Sequence, residues 1–321
     1  MRTHPNRRIL TGLSNSPWPW VCLVILIASF TPHPVSGQGG HPLPRQVRPL
    51  HERLALADAV AVATIGEVQT GRIELVEVSS LLGNVPPDAQ LKRSPSKPLE
   101  VSTGDRLLLL LRGARSPYLS VDTPRETVVL ADPAEEARWG EAIRVLAASR
   151  DQPEIWAEVY SGWLDSDSGT LRSLALASLS DVGAPYQPLP GSLFAARAAA
   201  AWDPTRSLEV RRTSAQLAAL HAEGAAVLAT HASRCGAEID TELLVYSVIA
   251  AVRYRVPDRD LVLLCALSRP SADIRGSALR TVGRTGDTLG DEVTARITEL
   301  STRDDDASVR TEAERAITRL R

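Results

Sequence analysis

The chain has 321 residues, which is enough for one extended domain or two compact ones. It is 44% hydrophobic but only 4% aromatic, a composition that suits alanine- and leucine-rich helices packed through small side chains. The formal net charge of −2 lacks the basic excess of general nucleic-acid-binding proteins, so nucleic acid is not expected as a partner.

The first 37 residues have the organisation of a secretory signal peptide. Arg2, Arg7 and Arg8 precede an apolar run at 21–30, which prolines and small residues follow. A retained membrane anchor is the alternative, but these ten apolar residues are too few to span about 30 Å of hydrocarbon. We therefore predict a signal peptide at 1–37, export to the periplasm or the exterior, and no stable membrane span after cleavage. The mature chain would then carry a formal charge of −5, since the segment holds three arginines and no acid.

A β-rich module is predicted after a flexible, proline- and glycine-rich lead-in at 38–50. A short helix is expected at 51–57, with a surface turn as the alternative. In residues 58–132 apolar residues tend to alternate with polar ones, as in β-strands. Residues 86–98 are predicted to be a long exposed loop. The predicted strands are 59–68, 72–78, 99–101, 106–111, 118–121 and 127–130. Short strands of this kind predict a small barrel or sandwich at 51–132.

A linker helix is predicted at 133–152, because acidic residues in its first turn suit the positive end of the helix dipole. Residues 153–321 then repeat one pattern five times. Each copy has a small oxygen-bearing residue, an aliphatic anchor three places on, and small or apolar residues four, seven and eight places beyond the anchor. The first residue can cap a helix, and the other positions share one helix face.

The capping residues are Ser168, Ser207, Asp240, Ser271 and Asp306, and the anchors are Leu171, Val210, Leu243, Ile274 and Val309. The anchors are 39, 33, 31 and 35 residues apart, a period typical of stacked helical repeats. Arginine follows the anchor in four copies, and Leu244 takes its place in the third. We therefore expect the polar contact between repeats to differ there.

This pattern resembles HEAT repeats, in particular the short bacterial kind called phycobilisome-lyase HEAT-like. The segment 306–320 follows that family's D-x-x-V-R opening and its later alanines and leucines, and 274–287 ends in the glycine spacing of Gly283 and Gly286. The resemblance implies an all-α solenoid of about five helix pairs at 153–321. It specifies a fold much more than an activity.

The β-rich module resembles an oligonucleotide/oligosaccharide-binding (OB) barrel of the tissue-inhibitor/netrin type. The resemblance rests on 76–78, 81–83, the run 104–111 and Tyr118. The N-terminal cysteines of the inhibitory members are missing, so no inhibitory role is implied. The expected fold is therefore α+β and multidomain, with a small OB-like barrel followed by a HEAT-type solenoid.

The sequence contains no recognisable catalytic motif. The four histidines after the signal peptide, His41, His51, His221 and His231, lack a ligand-type spacing, and no phosphate loop, nucleophile elbow or zinc-protease helix occurs. We predict no catalytic residue, metal or cofactor. Trp156, seven residues before a second tryptophan, is interpreted as packing of an end repeat, with a carbohydrate platform as the alternative.

Cys235 and Cys265 occupy nearly equivalent places in neighbouring repeats, near the ends of first helices. Export would bring them to a compartment that permits disulfides. Stacked helices are usually 8 to 10 Å apart, whereas a bridge needs Cα atoms within about 7 Å. A disulfide and two free thiols therefore both remain open.

Two surfaces are candidates for partner binding. The insertion at 184–191 predicts a contact loop, because insertions in solenoids map to one edge. Six and ten places after the anchors, the last three copies align a basic stripe of Arg253, Arg280, Arg284, Arg315 and Arg319. Guanidinium groups suit bidentate capture of carboxylates or phosphates. The alternative is that arginine is simply favoured near helix C-termini.

These observations predict an exported interaction scaffold, not an enzyme, whose stripe binds an acidic protein or an anionic envelope polymer. A purely structural envelope spacer is the first alternative. An enzyme resembling the chromophore lyases is the second, and it would need a pocket of convergent polar groups that the sequence does not reveal. The sequence makes no prediction of oligomeric state.

Overall fold

The computed structural model describes residues 48–92, 99–123, 126–181, 183–236, 238–286 and 288–320, all within one compact unit. The predicted signal peptide and nearly all of the lead-in lie outside the described residues. The architecture is α+β, as predicted: a short helix and a six-stranded antiparallel sheet precede eleven further helices in the described part of the chain.

The sheet is built from strands of very different length. Its elements are α1 Leu50–Ala55, β1 Ala59–Gln69, β2 Arg72–Leu82, β3 Gln90–Lys92, β4 Arg106–Arg112, β5 Leu119–Ser120 and β6 Val128–Val129. The strand order is β3-β2-β1-β4-β5, and β6 also pairs with β4. The turn between β1 and β2 contains Gly71 with φ 89°, a left-handed conformation that favours glycine.

Strand β4 is buried on both faces, which explains its unbroken run of five leucines. Leu107, Leu109 and Leu111 face a core formed within the curled sheet. Leu108 and Leu110 face a second core that includes the first helices after the sheet. The sheet therefore forms the boundary between two apolar clusters.

The sheet is not a closed barrel, which corrects the sequence prediction. Its two edges meet only at an isolated bridge between Leu91 and Tyr118, because β3 and β5 are too short to extend a ladder. The predicted strand at 99–101 is wrong, since these residues belong to no strand. The predicted exposed loop at 86–98 instead contains β3, in which Leu91 is fully buried.

The helices after the sheet are α2 Pro133–Ala148, α3 Pro153–Trp163, α4 Gly169–Leu179, α5 Gly191–Trp202, α6 Leu208–Ala218, α7 Ala222–Ala232, α8 Thr241–Tyr254, α9 Arg259–Leu267, α10 Ala272–Thr285, α11 Asp291–Arg303 and α12 Ala307–Leu320. The even-numbered helices from α4 to α12 pack successively on one another. The odd-numbered helices from α5 to α11 form a second row. In the described part of 205–320 there is no strand, as predicted.

The predicted helix starts are confirmed at all five copies of the pattern. Ser168 and Ser207 each accept a hydrogen bond from the backbone N–H of the anchor three residues on. Asp240 and Asp306 cap α8 and α12 in the same way, and Ser271 occupies the corresponding position before α10 without a side-chain hydrogen bond. All five anchors are buried, as the shared face requires.

The arginine after the anchor contacts the end of the preceding helix or the turn that follows it. Arg275 Nη1 donates to the carbonyl of Arg269 at 2.7 Å, and Arg310 donates to the carbonyl of Asp304. Arg172 and Arg211 donate to earlier backbone carbonyls in the same manner. These bonds satisfy backbone carbonyls at the end of a helix or in the turn after it. Leu244, at the same position of the third copy, is fully buried instead.

The insertion at 184–191 has apolar side chains in the core and prolines at the surface. Ala184, Tyr186 and Leu189 are buried, and the Tyr186 hydroxyl donates to the carbonyl of Ser178 at 2.6 Å. These apolar side chains cover the end of α4. Pro185, Pro188 and Pro190 of the same segment are exposed, so the contact loop stays a prediction.

Candidate anion-binding groove

Four arginines of the predicted stripe line one groove of about 270 Å³ between α10 and α12. Arg280 and Arg284 come from α10, and Arg315 and Arg319 come from α12. The remaining lining residues are Leu279, Gly283, Glu312 and Ala316. The structure therefore brings together four of the five arginines that the sequence aligned.

Small residues allow the two helices to approach at the centre of this groove. A Cβ placed on Gly283 would lie 3.6 Å from the Cα of Ala316, which is ordinary van der Waals contact. On each helix the two arginines are four residues apart and share one face. Close packing of the backbones thus sets the two pairs of cations side by side.

The four guanidinium groups differ in their partners. Arg315 forms an ion pair with Glu312, with 3.0 Å between Nη1 and Oε1, and Arg319 Nη1 donates to the Gly283 carbonyl at 2.7 Å. Arg280 and Arg284 are exposed and form no ion pair with any residue that the structure describes. Two cations of the groove are thus anchored by protein groups, and two are open to solvent.

Arg253, the fifth arginine of the stripe, does not line the groove. Its guanidinium lies over the ring of Tyr254, 5.3 Å from the centroid. It is in the last turn of α8, and the next residue after that helix, Arg255, has a left-handed conformation with φ 52°. The alignment of the repeats predicted its place on the helix but not its contact.

The groove is suited to binding anions. A guanidinium presents five N–H donors in a planar fork that matches a carboxylate or a phosphate. Four such groups against the single carboxylate of Glu312 make the groove locally cationic on a chain whose formal charge is −2. The lining contains no thiol, hydroxyl or imidazole side chain.

Cys235 and Cys265 form a disulfide in the structure, with their Cα atoms 5.4 Å apart. Cys265 lies within α9, whereas Cys235 lies beyond the end of α7, in a left-handed conformation with φ 48°. The usual distance of about 8 to 10 Å between stacked helices does not limit this pair, because Cys235 belongs to a turn and not to a helix.

An aromatic cluster around His51 was not foreseen from the sequence. The His51 ring stacks on Trp156 with 4.3 Å between centroids, and His51 Nδ1 is 2.9 Å from the hydroxyl oxygen of Tyr160. Tyr160 is fully buried, and this burial raises its pKa to about 12. Trp156 is only 9% exposed, and the second tryptophan, Trp163, is half-buried against the same core, so both residues pack as predicted. The short helix α1 is thus part of the core and not a surface turn.

A buried ionic cluster joins α1 to the segment between β5 and β6. Arg53, which is 1% exposed, pairs with Asp122 at 3.1 Å, and Arg48 pairs with Glu126 at 2.7 Å. The partners are at least 69 residues apart in the chain, so no local sequence pattern predicts their pairing. Their arrangement fixes the start of the described chain against the sheet.

Among the described residues, no group of three or more His, Cys, Asp or Glu side chains could hold a metal ion. None of the described helices is long and apolar enough to cross a membrane. No protein-family model matches the chain, and no significant match occurs among curated proteins or solved structures.

Proposed function

We propose that this chain is an exported interaction scaffold that binds an acidic partner in the groove between α10 and α12. In this proposal residues 153–321 form a HEAT-like solenoid, and the sheet of 51–132 is an accessory module. The partner is an acidic protein segment or an anionic envelope polymer. The bound groups are its carboxylates or phosphates.

One observation carries the proposal: four arginines from two helices line the same groove, and two of them have no acidic partner among the described residues. Neighbouring guanidiniums repel one another, so grouping them favours a state in which an anion lies between them. The stacking of helices in two rows and the repeated caps support the solenoid part of the proposal.

The test combines Arg280→Gln, Arg284→Gln and Arg315→Gln in one variant and measures capture by immobilised poly-glutamate over a range of salt concentrations. We expect binding at low salt to weaken by about tenfold or more, since three charge-assisted contacts are lost. The free energy of unfolding should change by less than about 0.5 kcal/mol per site, because these side chains are exposed. Arg319 is kept, since it also bonds the neighbouring helix.

The matched control combines Arg112→Gln, Arg138→Gln and Arg144→Gln, which removes the same charge from exposed arginines of β4 and α2. Arg144 pairs with a glutamate three residues away, as Arg315 does. An equal loss of binding in both triple variants would mean that net charge governs capture. Undiminished binding by the groove variant at every salt concentration would mean that the interface lies elsewhere.

A further inference from the structure

The arginines of the groove form a regular array. Two contacts give the direction of the helices: position 283 of α10 approaches Ala316 of α12, and Gly286, nearer the end of α10, approaches the carbonyl of Arg319. Residue numbers rise together along both helices, so α10 and α12 run in the same direction here. Residues four apart on a helix are separated by about 6 Å along its axis. The array thus has two parallel rows, each with two arginines whose backbone positions are about 6 Å apart along the helix axis.

The spacing of the rows matches an extended peptide. Side chains at alternate positions of a β-strand point to the same side and are about 6.6 Å apart. Consecutive carboxylates on such a strand can therefore meet Arg280 and Arg284, the two cations without an acidic partner among the described residues. A helical peptide with acids four residues apart has a similar period. Unlike a helix, however, an extended segment keeps its backbone N–H groups free to bind polar groups of the groove.

Glu312 gives the groove a second chemical requirement. Its carboxylate lines the groove beside Arg315 and would repel a polymer that carries a negative charge on every unit. An extended peptide offers unpaired backbone N–H groups along its edge, and a carboxylate accepts such donors. The mixed lining therefore favours a peptide with acidic and neutral residues over a uniform polyanion.

We propose that the groove binds an extended peptide segment with acidic residues at alternate positions, one carboxylate on Arg280 and the next on Arg284. Arg315 and Arg319 contact the other side of the segment, and Glu312 accepts from its backbone. This inference rests on the proposed function, and it specifies the partner's chemistry at the same groove. It assigns the two arginines of α10 the larger share of the selectivity.

The experiment measures binding of the full chain to labelled, end-blocked peptides of nine residues by fluorescence anisotropy. One probe alternates four glutamates with five serines, and a second contains the same residues with the glutamates in one block. A third is a helical, alanine-rich peptide with two pairs of glutamates four apart, and inorganic polyphosphate is the polyanion probe. We expect the alternating peptide to bind about fivefold more tightly than the block peptide of equal charge.

Single substitutions distinguish recognition of the alternating pattern from simple charge attraction. Arg284→Gln should remove the preference for alternation, whereas Arg144→Gln, which changes an exposed arginine of α2, should preserve it. Glu312→Gln should strengthen polyphosphate binding more than binding of the alternating peptide. Arg280→Gln and Arg284→Gln should each weaken binding of the alternating peptide more than Arg315→Gln does.

Each remaining outcome overturns a defined part of the inference. Equal affinity for the alternating and block peptides would show that acids at alternate positions are not recognised, and it would not contradict the proposed function. Tighter binding of the helical peptide overturns the extended conformation, and tighter binding of polyphosphate assigns the groove to an anionic polymer. Failure of every acidic probe to bind overturns both this inference and the proposed function.

Discussion

At the scale of single residues, Glu126 keeps its charge in a nearly water-free position. Its carboxylate accepts three hydrogen bonds from Arg48 and one from the backbone N–H of Thr123. Burial by itself would raise the pKa of this group, but these donors outweigh burial and lower the pKa to about 2. In neighbouring Asp122, burial outweighs the ion pair with Arg53 and raises the pKa to about 6.

These shifts predict how stability depends on pH. A carboxyl group with a lower pKa in the folded chain stabilises the fold above its unfolded pKa, here 4.5, and this contribution disappears as the pH falls toward 2. Asp122 acts in the opposite direction: its raised pKa favours the folded state as the pH falls from 6 toward 3.8. We expect Glu126→Gln to lose on the order of 2 kcal/mol at pH 7 and to show less acid destabilisation below pH 4.5.

Urea unfolding at a series of pH values measures both effects. Glu141→Gln is the matched control, because its exposed carboxylate pairs only at the surface with Arg144. We expect this control to change stability by less than about 0.5 kcal/mol. The assignment is wrong if the two variants lose equal stability or if Glu126→Gln keeps the full acid dependence.

At the scale of elements, helix starts were predictable because a cap and its anchor are three residues apart. The contacts of His51 were not predictable, since its partner Tyr160 is 109 residues away. The same reason applies to the sheet: the bridge between Leu91 and Tyr118 depends on distant pairing that short strands do not encode. In the groove, repeat alignment identified the four arginines, whereas Glu312 was not singled out, although it lies three residues before Arg315 on the same helix.

The disulfide between the turn after α7 and helix α9 yields a prediction at this scale. Its cysteines are 30 residues apart, and closing such a loop restricts the unfolded chain. Cys235→Ser should therefore lower the free energy of unfolding by about 3 kcal/mol under oxidising conditions. Reducing agent should destabilise the wild-type chain by the same amount and leave the variant unchanged. Two free thiols in the native protein, detected by mass-shift labelling, would contradict the pairing.

At the scale of the whole molecule, the sheet and the helices that follow it share one apolar cluster. Val60 and Leu108 of the sheet belong to the same core as Trp139 of α2 and Tyr160 of α3. The first helices are therefore stabilised by contacts with the strands as well as with one another. A change on the helix-facing side of the sheet should be felt in α2 and α3.

Two neighbouring leucines of β4 test this coupling. Leu108→Ala should accelerate hydrogen exchange in α2 and α3, because its side chain packs in the core they share with the sheet. Leu107→Ala should act mainly within the strands, since Leu107 faces the other cluster. Both side chains are fully buried, so each change should cost about 2–5 kcal/mol. Identical exchange patterns in the two variants would show that the clusters are not distinct.

Arg275 has a mechanical consequence for the helix stack. Its guanidinium donates a hydrogen bond to the carbonyl of Arg269, which follows the preceding helix α9. It also donates to both carboxylate oxygens of Asp304, at the end of the next helix, α11. Tension applied to the C-terminal end therefore reaches the preceding pair through a polar link as well as through packed side chains. A bidentate contact fixes the relative orientation of the two groups as well as their distance, so it holds the end of α11 at a defined angle to α10.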